Sequence, residues 1–114
     1  MLNKNSESEK NLTQDIKNKW ISDLSEDTVC RRAWADDDSG EMCTVGHLAN
    51  WLGYQVNHNG IYDGAREIAD HVGVFYPGEL GLTRDEVETL IDMTDNKKPV
   101  KEIIEYIKTI PTVD

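Results

Sequence analysis

The run Thr83-Arg84-Asp85-Glu86 constrains the fold of this chain more tightly than any other four residues. A threonine followed three residues later by a glutamate is a capping box. Each side chain takes a backbone N–H that the first helical turn leaves unpaired. Leu82 before the box and Val87 one turn in can close over each other as a hydrophobic staple. Val87, Leu90 and Ile91 then supply the apolar stripe of a helix that must be buried against a neighbour.

The same periodicity recurs along the chain. Leu12, Ile16, Trp20 and Leu24 repeat every four residues with Ile21 alongside, Asn11 or Thr13 can cap that helix, and Ser25-Glu26-Asp27 ends it. Cys43 to Leu52 reads as a short buried helix with Thr44 as candidate cap and Gly53 as a left-handed stop. Its apolar face is Val45, Leu48, Ala49 and Leu52. Gly46 inside it costs about 1 kcal/mol relative to alanine, which points to a close-packing role. Asp63 is expected to cap a further helix through Val72, with Ala65, Ile68, Ala69 and Val72 inward and Gly73 as its stop. Pro99 suits the first turn of a last helix, where a missing N–H is no loss; Val100, Ile103, Ile104, Ile107 and Ile110 face inward until Pro111.

The connections are less regular. Thr28 to Ala35 fits either a turn and a half of helix or a short strand, and Asp36 to Gly40 is a polar turn. Asn-Gly at positions 59 and 60, between Tyr54-Gln55-Val56 and Ile61-Tyr62, signals a small hairpin or loop. Val74 to Gly81 reads as an ordered loop with Phe75 and Tyr76 on the core. The expectation is a mainly α fold: one compact domain of about five helices spanning 11–114, with at most a small β-hairpin, after a disordered polar lead-in at 1–10.

Charge is the strongest compositional signal. Of the formal −10, the stretch from Ala33 to Asp95 holds thirteen acidic side chains against Arg66 and Arg84, so it alone carries −11. Such a field repels nucleic acid and anionic membrane and attracts a basic partner. No apolar run is long enough to span a bilayer. Met1 to Lys10 lacks the apolar stretch of a secretory signal, so the expected location, unless a signal was removed before Met1, is the cytoplasm. Cys30 and Cys43 are too few for a disulfide framework and read as free thiols.

Taken in order, these features resemble a loose group of small bacteriophage and prophage-associated proteins of unknown function. The resemblance spans about Trp20 to Ile107. It rests on a tryptophan-bearing first helix, then Cys43, Gly46 and Leu48 as Cys-x-x-Gly-x-Leu, Leu80-Gly81-Leu82 before the capped helix, Asp95-Asn96, and Ile103, Ile104 and Ile107 in the last helix. The group typically reads Cys-Cys-Leu-Gly-Val-Leu where this chain has Met42 for the first cysteine, and Asn-Asp where it has Asp95-Asn96. The resemblance implies a phage or mobile-element origin, a bacterial host cytoplasm and a host factor as target class.

Two functional readings follow. In the first, the domain is not an enzyme and needs no cofactor or metal. It binds a protein with a basic surface, including as an inhibitor or mimic directed at a nucleic-acid-binding surface, through Asp36, Asp37, Asp38, Glu41, Glu86, Glu88 and Asp92. It binds neither nucleic acid directly nor membrane. In the alternative, Cys43 and His47, one helical turn apart, form a thiol-dependent enzyme or redox-responsive site. A zinc set of Cys30, Cys43, His47 and His58 or His71 matches no standard spacing. A calcium loop from Asp36 fails because its twelfth residue is His47, not glutamate. No phosphate-binding loop, nucleophile elbow or dinucleotide fingerprint is present.

Overall fold

The computed structural model describes residues 12–114, so the expected lead-in at 1–10 lies outside the described residues. Two helices, α1 (Gln14–Asp23) and α2 (Thr44–Trp51), precede a sheet of four short strands. The strands are β1 (Gln55–Asn57), β2 (Gly60–Asp63), β3 (Arg66–Asp70) and β4 (Gly73–Val74). They pair antiparallel in chain order. A 3₁₀ turn (Pro77–Leu80) then leads into α3 (Arg84–Asp95) and α4 (Val100–Lys108).

The first three helices each start where local chemistry supplies an acceptor. Thr13 caps α1 by accepting the Ile16 N–H. The capping box of Thr83 and Glu86 is complete at α3, with both reciprocal hydrogen bonds formed. At α2 the cap is Cys43, not Thr44: its sulfur accepts the Gly46 N–H at 3.3 Å. Thr44 instead turns inward, where its hydroxyl meets that of Thr94 at 2.8 Å and its carbonyl accepts the Trp20 indole N–H at 2.9 Å. Gly46 has the close-packing role its cost implied. A Cβ there would lie 3.0 Å from the Trp34 carbonyl oxygen and 3.2 Å from a Val56 methyl.

The mainly α expectation is overturned: among the described residues four α-helices stand beside a four-stranded antiparallel sheet, a mixed α/β fold. The expected helix from Asp63 to Val72 is instead the end of β2, a turn through Gly64 and Ala65, and β3. The cause is a β-bulge. Ile61 pairs with Ala69 and Tyr62 with Glu67, which leaves Ile68 as the extra residue. A bulge breaks the strict alternation of a strand. Ile68 and Ala69 are therefore adjacent yet both fully buried, a pairing that imitates one face of a helix. Val72, counted as inward, is 75% exposed at the β3–β4 turn. The small hairpin does form between β1 and β2, with Asn57 opposite Gly60. Thr28 to Ala35 does not join this sheet; Val29 and Ala35 each bridge to Met42.

One core gathers all the elements. Trp20, Leu48, Ile61, Ile68, Leu80, Leu90, Ile103 and Ile107 have essentially no exposed surface. Phe75 and Tyr76, expected on that core, are instead largely exposed, and the Arg66 guanidinium lies over the Tyr76 ring at 5.3 Å.

Charges near the front of the chain hold both ends of α4. Glu26 accepts the Val100 N–H at 2.8 Å at its start. That hydrogen bond, with Arg31 adding to it, holds the Glu26 carboxyl below the usual range. Lys17, buried, donates to the carbonyls of Ile110 at 2.5 Å and Lys108 at 3.0 Å at its end. A carboxylate at the N-terminus and an ammonium at the C-terminus both match the helix dipole.

Candidate functional site

The Cys43–His47 pair is close in sequence but is not assembled as a reactive couple. As the α2 cap, the Cys43 sulfur receives only backbone N–H. Burial pushes its thiol up to about 12; the N–H groups of Gly46 and Val45 oppose this, and Cys30 and Asp95 add to it. His47 turns away, its Nε2 lying 2.9 Å from the Thr28 carbonyl oxygen. A carbonyl can only accept, so Nε2 carries the proton. Nδ1 is buried with no hydrogen-bond partner. The ring thus ties α2 to the segment beside it, and no cation or base reaches the thiol as a nucleophile requires. Cys43 in a Cys30→Ala variant is expected to stay unreactive toward an aromatic disulfide reagent at pH 8 and to react at once in denaturant. A native-state reaction with a midpoint at or below about pH 8.5 would show a thiolate and reverse this conclusion.

The acidic residues sort into three structural roles. Asp36 organises its own turn, its Oδ1 accepting the N–H groups of Asp38 at 3.0 Å and Ser39 at 3.3 Å. Asp37 anchors that turn to the β1–β2 hairpin through the His58 backbone N–H and ring Nδ1. Glu86 is occupied by the capping box, its carboxylate accepting the Thr83 N–H at 2.9 Å. Glu41 is half-buried, and Asp38, Glu88 and Asp92 are exposed. Glu88 and Asp92 share the outer face of α3 with Asp85 and Asp95, four exposed carboxylates three or four residues apart.

Beside this stripe runs a trough. Its first part, about 380 Å³, lies between residues 72–77 and α3, lined by Val72, Phe75, Arg84, Glu88 and Ile91. A second part, about 440 Å³, shares Val72, Gly73 and Ile91 with the first and continues over Trp34, Asp70 and Asp95, with Cys43 at its wall. A third, about 540 Å³, shares Arg32, Ala33 and His58 with the second and ends among Asp36, Asp37 and Asp38. The hollow exists because β4 is only two residues long, so the β3–β4 turn stands beside α3 without closing on it. At one end Arg84 donates to the Val74 carbonyl at 2.9 Å.

The trough brings Asp36, Asp37, Asp38 and Glu88 together and leaves Glu41, Glu86 and Asp92 off its lining. Sequence reasoning missed Asp70, Asp95 and the apolar floor of Val72 and Ile91. Asp95 was detectable, since it continues the helical spacing of Asp85, Glu88 and Asp92.

A second polar cluster was missed altogether. Glu79, in the 3₁₀ turn, is buried. Arg66 on β3 grips it with two hydrogen bonds of 2.6 Å, and Asp63 takes another at 3.1 Å. The Tyr54 hydroxyl donates to the Glu79 carbonyl at 3.0 Å and to its carboxylate at 3.2 Å. Burial first, and the Glu79 charge next, raise the Tyr54 phenol well above its ordinary range. Glu79 and Asp63 likewise hold the Arg66 guanidinium in its charged form. With both Glu79 carboxylate oxygens engaged, the cluster fastens the 3₁₀ turn to the sheet.

Among the described residues no three His, Cys, Asp or Glu side chains are grouped to hold a metal ion, and no helix is long and apolar enough to cross a membrane. No protein-family model matches the chain, and neither a curated protein nor a solved structure matches it.

Proposed function

We propose that this domain acts by binding a protein that presents a basic surface, with the trough and the outer face of α3 as the docking face. One observation carries the reading. Six carboxylates, of Asp36, Asp37, Asp38, Asp70, Glu88 and Asp95, line three adjoining hollows against two arginines, Arg32 and Arg84. Charge of one sign along a concave surface focuses the field and speeds the approach of an opposite charge. A basic groove that normally holds nucleic acid fits this chemistry, so inhibition by mimicry is the mode of action we favour. The resemblance to phage-associated proteins supports a host protein as the target class.

The test is affinity capture from a bacterial lysate at low and moderate salt, with an Asp36→Lys/Asp38→Lys/Glu88→Lys variant beside the native protein. Asp38 and Glu88 are exposed, and Asp36, half-buried, bonds only within its own turn. A basic partner held at low salt, released as salt rises and bound at least about tenfold more weakly by the variant is the expected result. Capture indifferent to both salt and charge reversal would refute the proposal.

A further inference from the structure

Resting on that reading, we infer that the trough admits one extended Lys/Arg-rich segment of the partner, anchored by an aliphatic side chain between Val72 and Ile91. Charge alone does not account for the middle of the trough. Val72 is 75% exposed and Phe75 40%, so two large apolar side chains stand within four residues on one wall. Ile91 and Trp34, both half-buried, continue an apolar floor between the carboxylates of Glu88 at one end and Asp36 to Asp38 at the other. Exposed apolar surface framed by charge marks a binding surface.

The order along the trough is therefore Glu88 with Arg84 beside it, then the apolar floor, then the five carboxylates of Asp70, Asp95 and Asp36 to Asp38 with Arg32 among them. Its complement is a segment with basic residues on both sides of an aliphatic one. A flat folded face could meet the rims but would leave the floor wet, whereas a single chain can lower one side chain into it. Strand addition does not serve here: β4 has only two residues, and Arg84 already occupies the Val74 carbonyl. Recognition falls to side chains in the hollow, with burial of one leucine-sized group adding to the charge pairing.

The experiment uses two synthetic peptides of about twelve residues with identical Lys/Arg content, one with a central leucine and one with serine there. Calorimetric titration at low salt is expected to show the leucine peptide binding at least about tenfold more tightly. Val72→Asp should erase that difference even though it adds negative charge, and Asp36→Lys/Asp38→Lys/Glu88→Lys should weaken both peptides alike. Amide shifts at Gly73 and Ile91 on adding the leucine peptide would place it, and unchanged shifts elsewhere in Val72→Asp would show an intact fold. Equal affinity of the two peptides, or a Val72→Asp protein that binds as well as the native one, overturns the segment-in-trough inference while the electrostatic reading stands. Failure of the native protein to bind either peptide at low salt counts against both.

Discussion

Gly60→Ala is expected to lower stability by about 3 kcal/mol, the upper part of the usual range for forcing an extra group into a packed site. A Cβ built on Gly60 would sit 2.0 Å from the Ala69 carbonyl oxygen, 3.0 Å from its carbon and 3.1 Å from the Asp70 Cα. All three are backbone atoms of β3, so no side chain can rotate away. The methyl must push β2 and β3 apart at the bulge, where Ile61, Ile68 and Ala69 pack with no exposed surface. Gly64→Ala is the control. Gly64 adopts a left-handed φ of 63°, but nothing lies within 4 Å of the added Cβ. Its loss should be only about 1 kcal/mol, the conformational cost alone. Denaturant unfolding of both variants decides the matter: equal losses would mean that the strands do not approach as described.

The second large effect is expected at the buried carboxylate. Arg66→Met is expected to destabilise the fold at neutral pH, because it leaves Glu79 charged and without its cation. The Glu79 side chain is only 6% exposed while Arg66 is 42% exposed, so the loss falls on the buried carboxylate and is moderated by solvent at the guanidinium. Adding Glu79→Gln to Arg66→Met should recover part of the loss, since a neutral amide keeps the shape and still accepts from the Tyr54 hydroxyl. The diagnostic is the sign of the coupling in a double-variant cycle. A double variant less stable than Arg66→Met would mean that the ion pair is not what fastens the 3₁₀ turn.

How much of this was legible follows from where the determining interactions lie. The ends of α1 and α3 are written within four residues, in Thr13 and in the Thr83–Glu86 box, so reading those residues is enough. The β1–β2 hairpin is nearly as local. The bulge at Ile68 is not, because it is defined by the partner strand, and a bulged strand with Ile68 and Ala69 both inward has no period of its own. The candidate site divides the same way. Acidic composition was visible, but counting charges could not show that Glu86 is consumed by a cap while Asp95 faces the trough. Arg66 and Glu79 stand thirteen positions apart with no motif between them. The one hint was a glutamate inside the otherwise uncharged run Phe75 to Thr83.

The clamping of α4 by Lys17 and Glu26 bears on how the chain reaches its native state. The Lys17 ammonium finds its acceptors 91 and 93 residues downstream, and the Glu26 carboxylate finds its donor 74 residues downstream. Loop closure on that scale precedes any reward from the contacts, and non-local pairings of this kind slow folding. During synthesis, α1 therefore leaves the ribosome with a lysine that has nowhere to be buried until Ile110 has been made. Both ends of the last helix are therefore fixed only by contacts that span most of the described chain.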